Sequence, residues 1–165
     1  MFDLELAPRF SDQELEELTV SEFAAWDGVE PDRHLVPPNL DTWEPGPRLA
    51  AVLSSVDRSS LSGFDTVRIM KARNRQVAHD QAELAADMVE VSYRADAEMG
   101  RTEEAFEYAS DEIRAALTLT RRAAESELGF ATDLWERLPQ VWEALNTGKI
   151  DVREAKTIVY GTSHV

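Results

Sequence analysis

"FDTVRIMKARNRQVAHDQAELAADMVEVSYRADAEMG", residues 64–100, decides the fold. It contains no proline and no internal glycine. Met70, Val77, Leu84 and Val91 recur every seven residues; Val67, Met88 and Ala95 occupy the intervening positions, which also hold Asn74 and Gln81. A seven-residue apolar repeat puts these side chains on one stripe, predicting a single long amphipathic helix, about 64–99, with a coiled-coil-like seam. Asn74 and Gln81 are too polar for a tight zipper. They suit packing against other helices of the same domain, or setting the register of a dimer.

Upstream, Ser62-Gly63 breaks a shorter apolar run, "RLAAVLSSVD", that starts behind Pro47, a residue suited to a first helical position. Six of the seven prolines lie at or before Pro47. Each one removes a donor and fixes its own φ, so "GVEPDRHLVPPNLDTWEPGP" cannot continue a helix. Residues 1–46 therefore read as an acidic, Pro-rich, weakly structured leader. It has one candidate helix, Ser11–Trp26, opened by a capping box from Ser11 to Glu14.

Downstream the signals are short and well punctuated. Ser110 is placed to cap "DEIRAAL", and Thr120 to cap "RRAAESELGFATDLWERL". Pro139 ends that helix and opens "QVWEALN"; Gly148 sits where a left-handed C-terminal residue belongs, and Asp151 with Glu154 opens "VREAKTIVYG". No stretch alternates at period two, so no sheet is expected. The fold class is all-α: a helical bundle or array over 47–165, with one long helix and several short C-terminal ones. The apolar face of Ile150, Val152, Ala155, Ile158 and Val159 needs cover. Either the preceding helices supply it, or sequence beyond residue 165 does, and the abrupt ending points to a domain truncated at its C-terminus.

Composition narrows the function. The net charge is −15, from 32 acidic and 17 basic side chains. Residues 1–60 carry 13 acidic against 4 basic, and residues 61–165 carry 19 against 13. Such a field repels phosphate backbones, so DNA contact would need a local basic patch. Cysteine is absent, which excludes disulfides, thiolate metal sites and cysteine nucleophiles. No window approaches the ~18 apolar residues of a membrane span. The acidic start "MFDLELAPRF" lacks the charge and apolar core of a signal peptide, so the chain reads as cytoplasmic.

No catalytic constellation emerges. His34, His79 and His164 are far apart, and no phosphate loop, dinucleotide fingerprint, zinc motif or nucleophile elbow occurs. Carboxylate pairs such as Glu103-Glu104 are expected by chance in so acidic a chain. The reading is a non-enzyme without metal, cofactor or small-molecule ligand. Two basic features remain as candidate nucleic-acid contacts. One is "RIMKARNRQ", where Arg68, Lys71 and Arg75 share a helix face at i, i+3 and i+7. The other is "DEIRAALTLTRRAAESELG", which has the layout of a helix-turn-helix. There Ile113, Ala116 and Leu117 would form one inner face, and Leu119 would fill the turn. Ala123, Ala124 and Leu128 would form the other inner face, and Arg121 and Arg122 would open the second helix. Glu125 and Glu127 follow at once and would meet phosphates badly.

Several pieces together resemble a known family. They are Glu112–Leu117, Leu119–Ala124, Leu138-Pro139, Ala144-Leu145, and Gly148-Lys149-Ile150 followed by Ala155. From about Leu49 to Val165 the order of helical blocks is similar to domain of unknown function 222, of the 13E12 repeat family. The resemblance implies an all-α domain that usually lies N-terminal to an HNH endonuclease module, whose metal-binding histidines and asparagine have no counterpart here. It thus implies a nuclease-associated domain serving DNA targeting or nuclease regulation. The alternative is a protein-interaction or dimerisation module without DNA contact, partnered by a second copy or another helix.

Overall fold

The computed structural model describes residues 36–162. Six α-helices follow one another: α1 (Pro47–Ser55), α2 (Gly63–Met99), α3 (Glu103–Leu117), α4 (Arg121–Thr132), α5 (Pro139–Asn146) and α6 (Val152–Gly161). Single 3-10 turns occur at Leu40–Thr42 and Arg58–Ser60, and a π turn at Asp133–Arg137 carries α4 towards α5. No strand occurs among the described residues. The all-α expectation and its long helix hold. The candidate helix Ser11–Trp26 lies outside the described residues.

The helix starts follow local chemistry. Each orphan N–H of a first turn needs an acceptor. Ser62 Oγ accepts from Asp65 N, Thr102 Oγ1 from Ala105 N and Thr120 Oγ1 from Ala123 N. One expectation is corrected here. α3 is capped by Thr102, not Ser110, and Ser110 is buried mid-helix. Ala105, Ala109 and Ile113 form an unbroken inner face through that serine, so the helix has no reason to restart.

α2 carries two apolar clusters on different sides. The first joins Val36, Leu40, Leu49 and Leu53 to Ile69 and Ala72. The second joins Ala78, Ala82, Ala85, Met88 and Val89 to α3, α4, α5 and α6 through residues such as Ile113, Leu128, Leu134, Leu145 and Val159. At about 100° per residue, the Ile69–Ala72–Gln76 face lies roughly 140° round the helix from the Ala78–Ala82–Ala85–Val89 face. Residues 36–46, the end of the compositional leader, thus lie against α2 through the buried Val36 and Leu40.

The heptad seam is divided by this arrangement. Met88 and Ala95 are buried and Val91 packs on the second cluster, but Val67, Met70, Val77 and Leu84 are exposed, Met70 at 61%. The face of α6 finds its cover in the preceding helices. Ala155 and Val159 are buried, Ile150 and Val152 pack on the cluster, and Ile158 remains outside. Arg137 closes the end of α6, its Nη2 donating to Val159 O at 3.0 Å and its Nη1 to Thr162 O at 3.1 Å.

Asp151 opens α6 with a capping box: its carboxylate accepts from Arg153 N and Glu154 N, and Glu154 accepts from Asp151 N. The N–H of Glu154 above all holds the Asp151 carboxyl below its ordinary value of 3.8. A depressed folded value means stabilisation that is present above the unfolded value and lost as pH falls through the folded one. Replacing Asp151→Ala should lower Tm at pH 7, with a gap from wild type that narrows once pH drops below 3.8. Thermal melts from pH 7 to pH 3 check this; a gap constant across that range would show the charged cap to be irrelevant.

Candidate functional site

Of the five candidate cations, three are engaged by the fold. Arg68 leaves α2 towards residues 37–41: its Nε meets Asp41 at 3.0 Å and its Nη1 meets Asp65 at 3.2 Å. Its Nη2 donates to Pro37 O at 2.8 Å and Pro38 O at 2.9 Å. The hydrogen bond to Asp41 holds the guanidinium even more firmly protonated than usual. Arg75 follows two turns later on the same side and donates to Leu40 O at 2.9 Å. Between them, Arg73 donates to Leu53 O at 2.6 Å and so fixes the end of α1. Lys71 is exposed and has no ion-pair partner among the described residues.

At the start of α4, Arg121 is gripped by Glu125 and Glu107, both at 2.8 Å. Glu125 leads in raising its pKa. Arg122 is exposed and unpaired among the described residues. The two groups do not converge. Arg68 and Arg75 serve the 37–43 segment, whereas α3 ends at Leu117 beside Leu84, about 24 Å further along α2 than Arg68 at roughly 1.5 Å per residue. The α3–α4 corner does have the left-handed Thr118 of a tight turn, with φ 57°. Leu119 packs on the second cluster, and Ile113, Ala124 and Leu128 are buried, as the helix-turn-helix layout requires. Ala116 and Leu117, expected on its inner face, instead lie exposed at the surface.

Two open grooves flank the long helix. One, of about 620 Å³, is lined by residues including Tyr93, Asp96, Arg101, Glu125, Asp133 and Glu136. Its carboxylates are already paired: Asp96 and Glu136 with Arg101, Glu125 with Arg121, and Asp133 with Arg137. Desolvation, then the hydrogen bond to Glu136, pushes the Tyr93 phenol upward, making it a weaker acid rather than a poised proton carrier. The other groove, of about 670 Å³, lies between α2 and α3, with Leu84, Met88, Val91, Ile113, Ala116 and Leu117 along it. No group of three His, Cys, Asp or Glu side chains that could hold a metal ion occurs among the described residues.

His79 has a packing role that the sequence did not disclose. Its Nδ1–H donates to Asn146 O at 3.0 Å, at the C-terminus of α5. Trp142 Nε1–H donates to Ala82 O at 3.0 Å. Gly148, with φ 68°, sits against Arg75, so close that a Cβ there would meet the arginine's own Cα at 3.0 Å. The family description "Domain of unknown function (DUF222)" matches residues 70–165. The chain belongs to the DUF222 family.

No curated protein matches the chain, and no solved structure does. The DUF222 match is narrower than the resemblance read from about Leu49. It coincides with the second cluster, Ala78 to Val159, and omits α1 and most of the first. Within DUF222, therefore, the matched body is the far face of α2 with the helices that cover it, held by His79, Trp142 and Gly148. Among the described residues of this DUF222 chain, no helix is long and apolar enough to cross a membrane.

Proposed function

We propose that this chain is a non-catalytic interaction domain of an HNH-endonuclease-associated protein, working in the cytoplasm by helix packing rather than by reading or cutting DNA. The observation that carries this reading is the exposed apolar stripe of α2, Val67, Met70, Val77 and Leu84, at coiled-coil spacing on a helix held rigid from two other sides. The direction of Arg68 and Arg75 into the fold, towards Asp41 and Leu40 O, and the pairing of Arg121 with Glu107 and Glu125 support it further, because these guanidinium groups are turned towards acceptors of their own chain. Membership of DUF222 supplies the nuclease setting only through what the family resemblance implies.

A second reading, DNA targeting, is favoured by one observation: Lys71 and Arg122 are exposed and lack ion-pair partners among the described residues. Two cations on a chain of net charge −15 give a weak phosphate grip at best. Incubated with plasmid DNA and Mg²⁺ or Mn²⁺, the chain should leave the plasmid intact, and at low salt it should give no mobility shift. Metal-dependent nicking would overturn the proposal. So would a shift abolished by Arg121→Glu with Arg122→Glu.

A further inference from the structure

We infer that the α2–α3 groove and the stripe leading into it form a receptor for one amphipathic helix of a partner protein, carrying Lys or Arg on both flanks of its apolar ridge. This rests on the interaction-domain reading and adds the chemistry of the partner. The floor is apolar: Leu84, Met88 and Val91 from α2, and Ile113, Ala116 and Leu117 from α3. Between Leu84 and Val91 α2 rises about 10 Å, room for two turns of a guest helix presenting side chains at i, i+3 or i+4, and i+7. Val77, Met70 and Val67 continue the floor for roughly 25 Å beyond Leu84.

The rim fixes the sign of the guest. On the α2 side Asp80, Glu83 and Asp87 follow one another at one-turn spacing, all exposed. Asp80 accepts from Gln76; Glu83 and Asp87 have no ion-pair partner among the described residues. On the α3 side Glu112 accepts from the Tyr108 hydroxyl, at 3.2 Å, and has no ion-pair partner among the described residues. The arginine of α3 is turned elsewhere. Arg114 pairs with Asp111 and lies about 200° round α3 from Glu112. Unpaired carboxylates on both banks of an apolar channel set a field that attracts a cationic helix and repels an anionic one. A second copy of this chain brings the same carboxylates against each other, with −15 on each molecule, so charge argues against self-pairing through this groove.

The test uses three labelled eighteen-residue peptides with the full chain in fluorescence anisotropy at physiological salt. One is a Leu/Lys amphipathic helix, one its Leu/Glu counterpart, and one a Ser/Lys peptide of equal charge without the apolar ridge. The Leu/Lys helix should bind at least tenfold more tightly than either of the others. Leu84→Ser with Leu117→Ser, both at half-exposed positions, should weaken it at least tenfold while circular dichroism stays unchanged. Asp87→Lys with Glu112→Lys should reverse the preference towards the Leu/Glu peptide. Equal binding of the Ser/Lys peptide, or binding indifferent to the two serines, would show mere charge attraction and overturn the inference. Self-association in light scattering that the serine variant removes would assign the groove to a second copy and overturn it too. None of these results depends on DNA binding or cutting, so the inference and the proposed function fail separately.

Discussion

Gly148→Ala should cost about 3 kcal/mol of folding stability, among the largest losses from one added methyl anywhere in this chain. Two effects add. Gly148 has φ 68°, where an L side chain is strained by about 1 kcal/mol or more. The new Cβ would also lie 2.7 Å from Arg75 Cβ and 3.0 Å from Arg75 Cα, and the second of these is backbone of a rigid helix that cannot yield as a side-chain tip can. Overpacking of that kind costs about 1–3 kcal/mol. Gly100→Ala separates the two effects. Gly100 has φ 77°, yet its added Cβ meets nothing nearer than 4.0 Å, so only the strain remains, about 1 kcal/mol. Urea unfolding of both variants measures the difference; equal losses would remove the close approach from the account.

Arg68→Ala should cost about 2–3 kcal/mol and should act on one side of the molecule. Its side chain is 12% exposed, and it satisfies Asp41, Asp65, Pro37 O and Pro38 O together. A hydrogen bond to a charged group contributes about 1.5–3 kcal/mol net, and the four here do not add, because Asp41 and Pro38 O stay open to water while Pro37 O is partly buried. Arg68→Lys should recover only part of the loss, because an ammonium cannot reach four acceptors in fork geometry. Hydrogen exchange would show faster amide exchange in residues 40–55, with α3 to α6 close to wild type. If Arg68→Ala left stability unchanged and instead reduced retention on DNA, the residue would be a phosphate contact after all.

Local patterns carried most of the fold into view. Pro47, Ser62, Thr120, Pro139, Gly148 and the Asp151–Glu154 pair each mark an element end, because capping and φ restriction depend on a few neighbouring residues. Ser110 misled because a serine inside a helix and a serine capping one look alike until the apolar face on both sides is counted. The seam of α2 was legible as a periodicity, but a period does not say whether its cover comes from the same chain. Here it does at Met88 and Ala95 and does not at Met70 and Val77. The engagement of Arg68 and Arg75 by residues 37–43 was not legible. Apart from Asp65, one turn back from Arg68, their partners lie 27 to 35 residues away, in a proline-rich stretch whose composition gives no register against a helix.

Arg75 has a contact on each side of α2. Its guanidinium donates to Leu40 O in the first cluster's segment, while the α5–α6 corner rests on its own Cα and Cβ. Within one turn of it, Gln76 accepts from Gly46 N, and His79 donates to Asn146 O. Cover thus changes sides between Ala72 of the first cluster and Ala78 of the second, and polar contacts from Arg75, Gln76 and His79 reach both sides across that interval. That short length of helix is the joint of the molecule. A break in α2 at this point would part residues 36–55 and the first length of the helix from the C-terminal helices, because Arg75, Gln76 and His79 hold contacts to both sides there.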